Sequence, residues 1–345
     1  MTQKINNSPG YIRFRPHFKT HQSTQIGEWF RESGVTAIAV SSVDMASYFA
    51  QKGWNDITIA VLVNPLEIKR IDELTEIPGV DLNLLVESPD MVTFLDRKLK
   101  RQVKLWIKID TGYHRTGIEY DQKEKILSVA KEINKSQKFL FKGLLTHTGY
   151  SYHAPSTVQL KQIYDETVNR MNEVRDYLKA NNFPEVEISF GDTPTCSVMD
   201  KFYGIDEVRC GNFVFYDVMQ FYLGSCSEED IAAAVACPII GRYPQRSEIV
   251  IYGGAVHLSK ESIKNENNQD IFGLVALPDD STGGWGPIVK NTYVSSLTQE
   301  HGIIKTGKEW INRLNVGDIL MILPVHSCLT ANLLIKQDYV ILNNP

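Results

Sequence analysis

No run in this chain is both apolar enough and long enough to cross a bilayer; the most apolar one, residues 231–240, is short and interrupted by Pro238. The opening Met1-Thr2-Gln3-Lys4-Ile5-Asn6-Asn7 lacks the apolar centre of a secretory signal. A soluble, cytoplasmic protein without a membrane partner is therefore expected. Positive charge is not in excess either: 36 Lys and Arg stand against 41 Asp and Glu, and the formal net charge of −5 gives nucleic acid nothing to be drawn to. Cysteine is scarce and odd in number. Cys196, Cys210, Cys226, Cys237 and Cys328 show no Cys-x-x-Cys spacing, which argues against a disulfide framework or a four-cysteine zinc module and leaves free thiols in a reducing cytosol. Internal repeats and low-complexity blocks are missing too.

What is present is an alternation. From residue 11 to about 210, short β-branched runs take turns with amphipathic stretches, the βαβ pattern of a parallel sheet. The expected strands are residues 11–15, 35–40, 57–63, 80–86, 103–109, 139–146, 186–190 and 205–208. Helical patterns such as 25–32 and 43–51 are followed by Gly34 and Gly53, where a glycine just beyond a helix end is expected. Eight such units predict a (β/α)8 barrel over residues 1–212. Beyond it the alternation stops, and residues 213–345 predict a smaller, mainly β domain with strands at 248–252, 272–276, 319–323 and 339–342, an exposed loop at 260–270 and a turn at 281–284. At 345 residues the chain exceeds what one hydrophobic core supports, in keeping with two domains.

In a parallel barrel the active site lies at the C-terminal ends of the strands, so the residues just after each strand are the ones to read for chemistry. They are Arg15-Pro16-His17-Phe18-Lys19-Thr20-His21, Asp110-Thr111-Gly112-Tyr113-His114-Arg115-Thr116-Gly117, Thr146-His147-Thr148-Gly149-Tyr150-Ser151-Tyr152, Gly191-Asp192-Thr193-Pro194-Thr195 and Arg209-Cys210-Gly211-Asn212. Glycines and hydroxyls after strands seven and eight suit a phosphate, because glycine lets backbone N–H groups approach and threonine adds a donor. A lysine across the barrel mouth from that phosphate is placed as a Schiff base to a cofactor requires, and Arg15, His17 and His21 beside Lys19 would favour its neutral amine.

These segments, with Pro-x-His-x-Cys at 324–328, resemble the D-threonine aldolase and eukaryotic-type D-serine dehydratase family, pyridoxal 5′-phosphate enzymes of the alanine-racemase fold. The likeness runs over nearly the whole chain. It implies that Lys19 is the Schiff-base lysine, that Arg115 hydrogen-bonds the cofactor's phenolic oxygen, and that Thr193, Gly211 and Asn212 hold the phosphate, with His17, His147 and Gly191 also lining the cofactor. The pyridine nitrogen has two candidate partners, Arg209 and Tyr152, while Arg209 has a purely structural alternative in pairing with Glu207 or Asp206. Members of the family carry a further few dozen residues ahead of the lysine motif, so a missing N-terminal segment is also expected.

An imidazole and a thiolate two residues apart on an extended segment project to one side, so His326 and Cys328 are candidate ligands of one ion, with zinc favoured over a hard cation. In the resembling family this histidine is followed by aspartate in manganese-type aldolases and by cysteine in zinc-dependent dehydratases, which makes Zn2+ the expected metal and Mn2+ the alternative. The implied reaction converts D-serine to pyruvate and ammonia, with Lys19 taking the α-proton and zinc acting on the β-hydroxyl. Retro-aldol cleavage of D-threonine to glycine is the nearest rival. A racemase would need a second base on the opposite face and gains nothing from His326 and Cys328, and a non-catalytic cofactor carrier would lack a β domain. The resemblance also implies a homodimer.

Overall fold

The computed structural model describes residues 1–281 and 283–335, and divides the chain into two compact units, Met1–Lys19 with Ser23–Gly211, and Thr20–Gln22 with Asn212–Pro345. In the first unit the strands are β1 (Arg13–Phe14), β2 (Ala37–Val40), β3 (Asp56–Leu62), β4 (Asp81–Val86), β5 (Val103–Asp110), β6 (Ile118–Glu119), β7 (Phe139–Leu145), β8 (Glu187–Phe190) and β9 (Glu207–Val208). They form one parallel sheet in the order β1-β9-β8-β7-β5-β4-β3-β2, with the short β6 attached to β5. A parallel bridge between His17 and Ala39 brings the two ends together, supported by Phe18 N–H to Ala39 O (2.8 Å) and Ala39 N–H to Pro16 O (3.0 Å). The result is an eight-stranded parallel barrel, as the alternation predicted.

Strand β2 and the middle of β3 form where the sequence is apolar and largely β-branched. All four residues of β2, Ala37-Ile38-Ala39-Val40, are buried, as a strand covered on both faces demands. Helices between strands start at side-chain caps: Ser23 and Ser42 accept from the backbone N–H groups of Ile26 and Met45. Gly34 and Gly53, at φ +82° and +81°, take the left-handed conformation that ends these helices. Phe18 is fully buried, with its ring 5.0 Å from those of both Phe49 and Trp54. Burying such a ring stabilises by about 1.5–3 kcal/mol and pins the backbone next to Lys19.

The second unit is built on β10 (Val235–Tyr243), β11 (Glu248–Tyr252), β12 (Ile263–Lys264), β13 (Asp270–Ile271), β14 (Gly273–Asp279), β15 (Gly284–Leu297), β16 (His301–Lys305) and β17 (Ile319–Pro324). Six of these close into an antiparallel barrel, β10-β11-β16-β15-β14-β17, around Cys237, Ile239, Ile249, Ile251, Ile304 and Ile322. The expected strands at 248–252, 272–276 and 319–323 fall on β11, β14 and β17, and the expected strand at 339–342 lies outside the described residues. Strands β10, β15 and β16 were not expected from the sequence. Pro238 and Gly241 interrupt β10, and register shifts where β14 pairs with β15 break the alternation that marks a strand. The segment 260–270, expected as a loop, contains the β12–β13 hairpin.

Candidate active site

At the C-terminal ends of the barrel strands, the loops are held by one another's backbones. His147, two residues past β7, shares a hydrogen bond of 2.9 Å between its Nδ1 and the Gly191 carbonyl beyond β8. Burial, reinforced by the positive charges of Lys108, Arg115 and Lys19, lowers the His147 pKa to about 3 despite that bond, so the ring is neutral near pH 7. Its neighbours are the rings of Tyr113 and Tyr152, with centroids at 6.1 and 6.3 Å. Gly191 is required sterically: a Cβ there would sit 2.7 Å from the Arg209 carbonyl carbon and 2.8 Å from its nitrogen.

Asp192, which sequence reasoning passed over, is the hub of these loops. Its carboxylate accepts from the hydroxyls of Thr148, Ser151 (2.9 Å) and Thr195 (2.8 Å) and from the Thr195 backbone N–H (2.8 Å). It thereby caps the helix Thr193–Val198 and ties the 146–152 loop to the segment carrying the buried Thr193. Burial pushes its carboxyl above the usual range, against the pull of these four donors.

Arg209 is buried just past β9. Its Nε donates to Ser189 Oγ (2.6 Å), and its Nη2 donates to the carbonyls of Thr146 and Ser189. The expected alternative pairing with Glu207 or Asp206 takes an indirect form: Ser189 Oγ donates on to Glu207 Oε1 (2.6 Å), while Asp206 pairs with Arg175 (3.2 Å). Burial lowers the Arg209 pKa to about 10. Arg15, expected to flank Lys19, instead turns into the barrel and pairs with Glu207 and Asp56, each at 2.7 Å.

Lys19 is exposed, its backbone N–H 3.4 Å from Nδ1 of the partly buried His17. Arg115, also exposed, lies over the Tyr113 ring at 5.2 Å, on a turn fixed by Asp110, whose Oδ1 accepts from the N–H groups of Gly112 (2.8 Å) and Tyr113 (2.9 Å). Lys108 was also missed. It is buried on β5 with its ammonium 3.3 Å from the Ile109 carbonyl, and burial, with the nearby Arg209 and Arg115, lowers its pKa to about 7. A charged residue inside the apolar run Val103-Lys104-Leu105-Trp106-Ile107-Lys108-Ile109 was the signal, because lysine is almost never fully buried unless paired.

In the second unit Cys328 and Glu261 lie close enough to His326 to raise its pKa against the effect of burial. The segment is not extended, as expected, but bends: His326 is the N-terminal cap of the helix Ser327–Leu334 and Cys328 lies in its first turn. Cys328 Sγ lies 3.2 Å from the Thr20 hydroxyl, and His326 Nδ1 lies 2.6 Å from Glu261 Oε2. Asn212 and Ser327 meet through Asp217: Asn212 Nδ2 donates to Asp217 Oδ2 (2.6 Å), as does the Ser327 N–H (3.1 Å), and Ser327 Oγ donates to Asn212 Oδ1 (2.6 Å). No cluster of three or more His, Cys, Asp or Glu able to hold a metal is found among the described residues. An imidazole and a thiol two residues apart at the start of one helix are nonetheless donors that suit zinc with open positions.

The donors at the barrel mouth also fit pyridoxal phosphate: a lysine amine, a glycine-lined turn with the Thr193 hydroxyl, a buried arginine and a neutral histidine. Fold and site together define a lysine-bearing barrel of the alanine-racemase type joined to a β-barrel domain. The chain belongs to the family of the alanine racemase N-terminal domain, which its residues 6–218 match, and its residues 232–341 match the serine dehydratase domain. It is 28% identical to D-threo-3-hydroxyaspartate dehydratase of Delftia sp. (strain HT23), covering 93% of this chain and 84% of that protein. It is 29% identical to D-serine dehydratase of Dictyostelium discoideum over 96% of this chain and 87% of the relative. The solved Delftia enzyme superposes with a TM-score of 0.87 at 27% identity, covering 96% of this chain and 87% of that one. Two further solved structures are of D-threo-3-hydroxyaspartate dehydratase mutants in which a histidine and a cysteine two positions apart are each replaced by alanine, the cysteine mutant in a metal-free form; each is 27% identical with a TM-score of 0.87.

Proposed function

We propose that this protein is a pyridoxal 5′-phosphate-dependent D-amino-acid dehydratase that uses a zinc ion and converts D-serine or a related β-hydroxy D-amino acid to a keto acid and ammonia. The observation that carries this reading is the pair His326 and Cys328 at the start of one helix, whose spacing matches that of the histidine and cysteine replaced in solved mutants of D-threo-3-hydroxyaspartate dehydratase. A racemase has no use for such a pair. The dehydratase names of the relatives support the same choice over an aldolase.

The cofactor, when bound, supplies an electron sink for charge developing at the α-carbon. Lys19 is the residue that holds it, and its Nζ, once released, takes the α-proton. Thr193, Gly191, Gly211 and Asn212 take the phosphate, with Asp192 fixing the first of these. Arg115 donates to the phenolic oxygen. Arg209, bound to neutral carbonyls and a hydroxyl, supplies a donor toward the ring nitrogen; Tyr152, beside His147, is the second candidate for that contact. His147 and His17 line the ring, His147 without adding charge. A zinc ion on His326 and Cys328 supplies a Lewis acid for a departing hydroxyl, with manganese the alternative. Five free thiols suit a cytoplasmic location, and a homodimer completes the reading.

Product analysis decides it. Purified protein given D-serine should release pyruvate and ammonia, whereas glycine released from D-threonine at a higher kcat/KM would make the aldolase the better assignment.

A further inference from the structure

An imidazole offers a metal only the nitrogen that carries no proton, so whatever binds one ring nitrogen decides which of the two can ligate. At His326 the Nδ1 lies 2.6 Å from Glu261 Oε2. An ionised carboxylate only accepts, so Nδ1 must hold the proton and Nε2 is left as the ligating atom. Glu261 is 65 residues away in sequence and sits on no regular element. Its approach is built by a short, constrained turn. Ser259, buried and at φ +66°, ψ 173°, lies in a region that a serine enters only when its surroundings impose it, and its Oγ accepts the Glu261 backbone N–H at 3.3 Å. The helix Ala255–Leu258 that leads into this turn packs on the helix bearing Cys328, with Thr330 Oγ1 donating to Leu258 O at 3.3 Å. The same packing therefore places both the carboxylate and the imidazole.

We propose that Glu261 is a positioning residue for the metal at His326 and Cys328, holding the imidazole in its Nδ1–H form so that Nε2 faces the ion. This rests on the metal reading above. On the other ligand, the Thr20 hydroxyl lies 3.2 Å from Cys328 Sγ. Outer contacts of this kind change metal affinity by about 10–100-fold.

The test is a competition titration of the full-length protein, stripped of metal, with Co2+ and Zn2+ against a chelator, for wild type, Glu261→Ala, Glu261→Gln and Cys328→Ala. Wild type should show a thiolate-to-cobalt absorption that Cys328→Ala lacks. Glu261→Ala should bind about 10–100-fold more weakly. Glu261→Gln keeps an oxygen that accepts from Nδ1–H, so it should stay far closer to wild type. Ring 1H–15N spectra of the zinc-loaded wild type should place the proton on Nδ1. Equal affinities of wild type and Glu261→Ala, with the cobalt band intact, overturn the inference and leave the metal site standing. A Gln variant as weak as Ala also overturns it, because Glu261 is then a ligand or a required charge. Absence of the cobalt band in wild type removes the metal reading itself, and this inference with it.

Discussion

Ser189 Oγ accepts from Arg209 Nε at 2.6 Å and donates to Glu207 Oε1 at the same distance, so a single hydroxyl joins a buried guanidinium to a buried carboxylate. Arg15 completes the chain at 2.7 Å from Glu207 Oε2. Removing the hydroxyl leaves Arg209 Nε without its acceptor where water cannot replace it, at a cost of about 1–3 kcal/mol. Ser189→Ala should therefore lower the unfolding free energy by that amount, read as a lower denaturant midpoint at unchanged slope. Unchanged stability would show that Arg209 repairs the loss with backbone carbonyls.

Lys19 should be the residue that holds the cofactor. The wild-type protein loaded with pyridoxal phosphate should carry a covalent adduct that borohydride fixes to the peptide containing Lys19. Lys19→Ala should release all cofactor on denaturation after the same treatment. A fixed adduct in that variant, on Lys108 for instance, would falsify the assignment.

The barrel was legible in the sequence because parallel strands covered on both faces are written as largely apolar runs at regular intervals, and all eight expected strands overlap observed ones. The chemical loops were legible for a related reason, since strand ends locate them. Less was visible in the β domain, where Pro238 and the β-bulges of β14 and β15 disguise strands. Least visible were the supporting partners. Glu261 reaches His326 across 65 residues, Glu207 reaches Arg15 across 192 and Thr20 reaches Cys328 across 308, and no local pattern announces such pairs.

Lys108 should give the barrel a pH-dependent stability of definite sign. Unfolded, its amine keeps a proton up to its ordinary value of 10.5, whereas in the fold burial, with Arg209 and Arg115, lowers the pKa to about 7. Between about pH 7 and 10.5 the unfolded chain binds the extra proton, so stability from this group rises with pH, by up to about 1.4 kcal/mol per unit. Below pH 7 both states are protonated and the full cost of burying the charge is present. Denaturant unfolding of cofactor-free wild type and Lys108→Met at pH 7 and pH 9 measures it. Wild type should gain on the variant over that interval, and a constant difference would mean that the amine titrates near its ordinary value in the fold.

The metal should be needed for elimination but not for holding the cofactor. If His326 and Cys328 bind a zinc ion that draws charge from the departing hydroxyl, a chelator should abolish pyruvate release from D-serine while the borohydride-fixed adduct at Lys19 still forms in full. Cys328→Ala should behave as the chelated protein does. Cys328→Asp substitutes a harder oxygen ligand and should regain activity with Mn2+ in preference to Zn2+. The competing account treats Cys328 as a buried thiol packed beside Thr20 and His326, with no ion between them. On that account Cys328→Ala costs modest stability and leaves turnover unchanged, and a preparation shown by elemental analysis to be metal-free keeps full activity. Pyruvate release at the wild-type rate from such a preparation would decide for the thiol and reopen the choice between lyase and racemase chemistry at Lys19.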